Sequence, residues 1–143
     1  MKSNQFDHYR ETQIKTASPG KLLLMLYDGA LRFLNIAKKA LEEEPRDIEK
    51  AHNNIIKIQN IITELTVTLD MEKGGEISVN LKDLYVWVKN QLILANSKKE
   101  VSYLVEVEHI ISELRDAWKQ VVAKEEGKDN SQSDSLKKIN VTG

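Results

Sequence analysis

Cysteine is absent from this chain of 143 residues, so neither a disulfide framework nor a thiolate metal site can form. A chain without cysteine suits a reducing compartment, and we expect the cytosol. Basic and acidic residues almost cancel, with 21 Lys plus Arg against 22 Asp plus Glu. The concentrated positive field that phosphate backbones require is therefore missing, and we expect no nucleic-acid partner.

Long apolar runs are missing as well. No stretch approaches the roughly 18 consecutive apolar residues of a membrane-spanning helix. The polar residues 1–11 also lack the apolar centre of a signal peptide. We therefore expect a soluble protein that is not itself exported and does not insert into a membrane.

Residues that interrupt helices are scarce, with only two prolines and six glycines. Between them lie four long segments whose apolar residues recur at helical spacing, which predicts an all-α protein. The connections are short, so neighbouring helices should be antiparallel, as in an up-down four-helix bundle. We predict one bundle domain over residues 1–124, followed by a disordered tail over the polar residues 125–143.

Each segment has one apolar face that we assign to the core. The second segment is the most regular, because its apolar residues alternate in steps of three and four. The predicted core faces are Leu22, Leu26, Ala30, Phe33 and Ala37; Ile48, Ala51, Ile55, Ile58, Ile62, Leu65 and Leu69; Ile77, Leu81, Leu84, Tyr85, Val88, Leu92 and Ala95; and Leu104, Val107, Ile111, Leu114, Trp118 and Val121.

Three of the four segments also carry apolar residues on the opposite side, where a bundle helix should be polar. These outward residues are Leu24, Tyr27 and Leu31; Ile56 and Val67; and Val79, Val86 and Ile93. Burying one such side chain contributes about 1.5–3 kcal/mol, so we predict that a partner helix covers them. The alternatives are a central helix buried on both sides and scattered surface residues without a role.

A metal site is the main catalytic possibility. Two Glu-x-x-His motifs, at residues 49–52 and 106–109, have the spacing that di-iron bundles use. Such a site also needs a glutamate from each of the other two helices, which offer only Asp28 and Asp83. The glycine pair at residues 74–75 lacks the spacing of a phosphate-binding loop. We therefore predict no metal site and no phosphate-binding loop.

The first long helix should begin at Ser18-Pro19, because serine can cap a free backbone N–H and proline suits the first helical position. Lys21 is unusual there, since a cation in the first turn opposes the helix dipole. Its side chain either reaches water or contacts an acidic partner.

These stretches resemble the FliS family of flagellar secretion chaperones. The resemblance covers residues 9–122, and residues 16–30 (TASPGKLLLMLYDGA) are its most specific part. The other resembling stretches are Gly74-Gly75-Glu76-Ile77, Asn80-Leu81, Leu84-Tyr85, Ala95-Asn96 and Glu113-Leu114-Arg115-Asp116-Ala117-Trp118. Gly20 departs from the family pattern, which often has glutamate there, so the first turn should be looser.

The resemblance implies a cytosolic export chaperone without cofactor or catalysis. Such a chaperone binds the C-terminal helical region of flagellin, prevents premature polymerisation and assists delivery to the flagellar type III export apparatus. A flagellar export-gate component is a further implied partner. The free protein should be a monomer or a weak dimer. The alternative is a structural bundle that associates with itself through the outward residues and has no flagellin client.

The resemblance also implies that residues 1–17 form a short helical or extended cap over an apolar surface until the client replaces it. The apolar residues available for this are Phe6, Tyr9 and Ile14, and Tyr9 matches the family's N-terminal tyrosine. The predicted client-binding residues are Tyr9, Ile14, Lys21, Leu24, Tyr27, Leu31, Ile56, Val67, Val79, Val86 and Ile93.

Overall fold

The computed structural model describes the backbone of residues 18–71 and 74–142 and the side chains of residues 18–71 and 74–127. Four helices account for most of these residues: α1 (Pro19–Glu42), α2 (Ile48–Val67), α3 (Gly75–Lys98) and α4 (Val101–Thr142). No strand occurs within the described ranges, which confirms the all-α class. None of the helices, searched over the described residues, is apolar over a length that could span a membrane.

Local side chains set the helix ends. The Ser18 hydroxyl accepts from the Lys21 backbone N–H at 3.3 Å, as the Ser-Pro start of α1 predicts. The Asp47 carboxylate caps α2 by accepting from the Lys50 N–H at 3.0 Å. Helix α3 ends at Lys98, and the next residue, Lys99, adopts the left-handed conformation (φ 55°) and donates its N–H to the Ala95 carbonyl.

The turn between α2 and α3 depends on a glycine. The Asp70 carbonyl accepts from the Gly74 N–H at 2.8 Å and from the Ser78 hydroxyl at 2.9 Å. A Cβ at position 74 would lie 1.7 Å from the Ser78 Oγ, so no larger residue fits there without a shift of the turn. This contact fixes where α3 starts relative to the end of α2.

The chain divides into two compact units, of which the larger is Met25–Leu114. Within it, contacts between α2 and α3 run in opposite directions, since His52 contacts Asn96 and Lys89 contacts Thr63. Helices α1 and α2 are also antiparallel, because Gly29 lies beside Ile61 whereas Phe33, further along α1, lies under the ammonium of Lys57, which is earlier in α2. Lys38 of α1 pairs with Glu108 of α4 at 2.7 Å. This unit is the expected up-down bundle.

The core of the larger unit is mostly apolar, and its buried polar groups include Asn54, Ser78 and a pair of tyrosine hydroxyls. Tyr27 of α1 and Tyr85 of α3 are buried, and their Oη atoms are 2.5 Å apart. Burial raises the pKa of the Tyr85 phenol above its usual value, and the hydrogen bond with Tyr27 raises it further. The fully buried residues of α2 are Ala51, Ile55, Ile58, Ile62 and Leu65, all of which the sequence pattern predicts.

The predicted outward position of Tyr27 is wrong. The buried residues of α1 are Tyr27, Ala30, Leu34, Ala37, Ala40 and Leu41. Leu22, Leu26 and Phe33, predicted to face the core, are only half-buried. The inward face is rotated because the Tyr27 hydroxyl has a buried partner in Tyr85, whereas leucine has no such requirement.

Two further core assignments are off by one residue. At the start of α3, Ser78 is buried and Ile77 is exposed, because the Ser78 hydroxyl bonds to the Asp70 carbonyl. On α4, Val122 is buried and Val121 is exposed.

Helix α4 continues to Thr142, beyond Gly127 where the apolar rhythm ends. The apolar rhythm could not predict this, because it reports a buried face and a polar segment has none. The predicted disorder of residues 125–143 remains a prediction.

The smaller unit contains the described residues 18–24 and those from Arg115 onward. Gly20 lies against α4 there, and an added Cβ would come within 2.9 Å of the Val122 Cγ2. The Lys21 ammonium pairs with the Glu126 carboxylate at 2.7 Å. Gly20 therefore permits a close approach, and Lys21 has an acidic partner within the chain itself.

Candidate functional site

A surface groove of about 420 Å³ lies between α2 and α3 in the larger unit. Its lining consists of His52, Ile56, Gln59, Ile93, Asn96, Ser97 and Lys99. The floor is apolar, with Ile56 36% exposed and Ile93 53% exposed. These two isoleucines were predicted independently to face outward, and the antiparallel pairing of α2 with α3 brings them together.

One end of the groove is polar. Asn96 lies between two other side chains: the Lys99 ammonium donates to its Oδ1, and its Nδ2 is 2.9 Å from the His52 Nδ1. Partial burial lowers the pKa of the Lys99 ammonium. We call His52, Asn96 and Lys99 the donor cluster.

A residue of the connection between α1 and α2 forms a hydrogen bond with the backbone of the donor cluster. The Arg46 guanidinium donates to the Lys99 carbonyl. Arg46 precedes α2 and Lys99 follows α3, so this bond joins the two helix ends that flank the cluster. Further along the same two helices, the Lys89 ammonium donates to the Thr63 hydroxyl at 2.6 Å. Hydrogen bonds between α2, α3 and their ends thus border the groove.

The other predicted outward residues differ in exposure. Val67, Val79 and Val86 are exposed, as the helical spacing predicts. Leu24 and Leu31 are half-buried, so they present only part of their surface. Lys21 is exposed and paired with Glu126. Tyr9 and Ile14 lie outside the described residues. Whether any of these positions contacts a client remains a prediction.

Sequence reasoning missed the donor cluster as a unit. His52 was considered only as part of a metal motif, and Asn96 only as part of a resembling stretch. The available signal was that His52 lies one turn before the outward Ile56, while Asn96 lies one turn after the outward Ile93. That signal could not show that the two side chains meet, because 44 residues separate them.

The two Glu-x-x-His motifs do not converge. His52 contacts Asn96, and His109 pairs with Glu113 on its own helix at 3.1 Å. Over the described residues, no three His, Asp or Glu side chains come together in a way that could hold a metal ion.

An exposed apolar groove between two helices of a bundle is a surface on which an amphipathic helix can dock. The family model described as "Flagellar protein FliS" matches residues 2–125. The chain is 39% identical over 122 residues to the flagellar secretion chaperone FliS of Bacillus subtilis (strain 168), covering 85% of this chain and 89% of that protein. It therefore belongs to the FliS family, which is a family of flagellar secretion chaperones and not of enzymes.

Two further comparisons agree. The flagellar secretion chaperone FliS of Salmonella typhimurium (strain LT2) is 38% identical, over 80% of this chain and 84% of its own length. A solved structure described as a flagellar chaperone from bacteria superposes with a TM-score of 0.69, covering 87% of this chain and 99% of that chain. Its identity is 17%, so it supports the fold alone.

Proposed function

We propose that the protein binds the C-terminal helical region of flagellin in the cytosol, prevents its premature polymerisation and assists its delivery to the flagellar type III export apparatus. Membership of a flagellar secretion chaperone family supports a flagellar export client. The observation that carries the proposal is the groove, where Ile56 of α2 and Ile93 of α3 are both exposed and line the same surface.

The exposed residues continue beyond the groove. Val79, Val86 and Ile93 are spaced seven residues apart on α3, and all three are exposed. Residues seven apart lie on nearly the same side of a helix, so they form a stripe about 21 Å long at 1.5 Å per residue. A stripe of this length matches an amphipathic client helix of about four turns.

Coupled folding of the client fits this surface. A segment that is disordered before binding loses conformational entropy when it becomes helical, which lowers the affinity per unit of buried area. The bundle can offset this cost, because its own side of the contact is already ordered by the bonds between α2 and α3.

We further propose that residues 1–17 cover part of the apolar surface in the free protein, with Tyr9 and Ile14 as the contacting residues. A client segment that buries more apolar area would replace them by mass action. A component of the export gate is a second candidate partner, on a surface that the client leaves free.

The direct test is calorimetric titration of the full chain with the C-terminal segment of flagellin from the same organism. Light scattering of the mixture then measures the mass of the complex. We expect saturable binding and a one-to-one complex. A flagellin segment that lacks the C-terminal helical region is the control and should give no binding heat.

Self-association through the same exposed residues is the alternative. It predicts a stable homodimer that does not bind the flagellin segment and that dissociates when Ile56→Glu or Val86→Glu introduces a charge. A homodimer with these properties would replace the chaperone proposal with the structural one.

A further inference from the structure

The groove between α2 and α3 has two different ends. Its floor is formed by Ile56 and Ile93. The charged residue in its lining is Lys99, which lies at the end of the groove that the donor cluster occupies. Lys89, further along α3, is already bonded to Thr63 and does not line the groove. A helix lying on this floor therefore meets different chemistry at its two ends.

The Asn96 amide contacts His52 through Nδ1, which leaves Nε2 as the ring nitrogen that faces a ligand when Nδ1 accepts from the amide. Oδ1 of Asn96 accepts from the Lys99 ammonium, and Nδ2 of Asn96 is the atom nearer to the His52 Nδ1, at 2.9 Å against 3.1 Å for Oδ1. An amide nitrogen can only donate, so Nδ1 is the acceptor. In the neutral imidazole the proton is then on Nε2, which makes Nε2–H a donor available to a ligand.

The donor cluster thus offers an imidazole N–H and a lysine ammonium, beside the hydroxyl of Ser97. The matching ligand is a group of acceptors with partial negative charge. The last four carbonyls of an α-helix have no partner within the helix and carry the negative end of its dipole. Cations and N–H donors near the C-terminal end of a helix stabilise the helix for this reason.

We propose that the groove binds its client helix in one direction, with the C-terminal end of that helix at the donor cluster and its apolar residues on Ile56 and Ile93. This inference rests on the proposed function. From Ile93 to Lys99 the rise along α3 is about 9 Å, so the client helix ends about six residues beyond its apolar contact. The groove therefore recognises the end of a helix and not only an apolar face.

Cross-linking tests the direction. Because the chain has no cysteine, Ser97→Cys and Thr63→Cys each place a single thiol, one near the donor cluster and one further along α2. The probe is a synthetic peptide of the flagellin C-terminal helix with one cysteine at either its C-terminal or its N-terminal end. We expect the C-terminal cysteine to form a disulfide about tenfold faster with Ser97→Cys than with Thr63→Cys, and the N-terminal cysteine to show the opposite preference, because bound thiols have a high effective concentration.

Substitution tests the donor. His52→Leu removes the N–H and should weaken peptide binding about three- to tenfold, whereas His52→Gln keeps an amide N–H and should restore most of the affinity. His109→Leu is the matched control, because His109 is an exposed histidine on α4 away from the groove. Against a peptide that lacks its last turn, His52→Leu should have almost no effect. Circular dichroism of each variant checks that the fold is intact.

The outcomes separate this inference from the proposed function. Peptide binding with reversed or equal cross-linking preferences overturns the direction and leaves the proposed function standing. A His52→Leu effect that persists with the truncated peptide also overturns it, since the contact would not involve the helix end. Absence of any calorimetric binding overturns the proposed function and the direction together.

Discussion

Helices α2 and α3 carry similar apolar side chains on two faces, and the two faces lie in different environments. On the inner face Ile58, Ile62 and Leu92 are fully buried, while on the outer face Ile56 and Ile93 stay partly exposed. The inner residues contribute their hydrophobic free energy to folding. The outer residues stay in contact with water and contribute little of theirs to folding, so side-chain type alone does not separate a buried face from an exposed one.

The neighbours Leu92 and Ile93 give the sharpest test of this comparison. Leu92→Ala removes buried methyl groups and should lower the free energy of unfolding by about 2–5 kcal/mol. Ile93→Ala should change it by less than about 1 kcal/mol, because the side chain is exposed. Urea denaturation followed by circular dichroism measures both. Equal effects of the two substitutions would mean that the outer face is part of the core.

Val86→Glu should separate binding from folding. Burying a valine contributes at least about 1.5 kcal/mol, so a charge at this position should weaken flagellin binding about 10- to 100-fold while helix content stays nearly unchanged. Calorimetric titration measures the affinity. Val105→Glu, an exposed valine on α4, is the matched control and should bind normally. Collapse of the fold in Val86→Glu would show that this position belongs to the core.

The tyrosine pair tests a buried polar contact of the inner face. Tyr85→Phe should lower the free energy of unfolding by about 1 kcal/mol, the typical net value of a buried hydrogen bond. The effects of Tyr27→Phe and Tyr85→Phe should be less than additive in the double variant, because both remove the same bond. Additive effects in urea denaturation would show that the two hydroxyls contribute independently.

The same pair gives a pH dependence. The pKa of Tyr85 is raised in the folded state, so this group adds stability that is fully present below the unfolded pKa of about 10 and is lost as pH rises above it. The unfolded chain then releases a proton that the folded chain retains. Between about pH 10 and 11 the native protein should lose more stability than Tyr85→Phe, by up to about 1.4 kcal/mol per pH unit. Parallel stability curves for the two proteins would contradict this.

Gly20→Ala, in the smaller unit, should have the smallest effect on stability. Replacing a helical glycine by alanine usually stabilises by up to about 1 kcal/mol. Here the new Cβ would come within 2.9 Å of the Val122 Cγ2, and valine cannot easily change its rotamer. Gly20→Ala alone should therefore give no gain in thermal stability, whereas it should stabilise a Val122→Ala background. A gain in both backgrounds would indicate that the first turn of α1 is free to move away from α4.

The sequence predicts α2 well and α1 less well, for a physical reason. In α2 the inner positions recur in steps of three and four with mostly polar residues between them, so only one face can be buried. In α1 residues 22–27 are all apolar, and periodicity cannot choose between them. The choice falls to Tyr27 because of Tyr85, which is 58 residues away along the chain. Ile77 and Ser78 show the same effect on a shorter scale, through the Asp70 carbonyl.

The candidate site was half predictable. Ile56 and Ile93 follow from helical geometry, because both lie opposite a well-defined inner face. The donor cluster does not, since Asn96 and Lys99 are ordinary residues at a helix end until α2 brings His52 beside them. Lys21 was expected to reach water or an acidic partner, and it pairs with Glu126 of the same chain, which the first-turn position alone does not predict.

The hydroxyl contact between Tyr27 and Tyr85 has a consequence for the rotation of α3. A helix that is apolar on two sides can be turned about its axis and still bury an apolar face, so hydrophobicity alone does not fix its rotation. Only one rotation places the Tyr85 hydroxyl against that of Tyr27; in any other, the two phenols would be buried or exposed without this bond. The pair therefore fixes the rotation of α3, and with it which apolar stripe of this helix is buried in the bundle and which stays exposed.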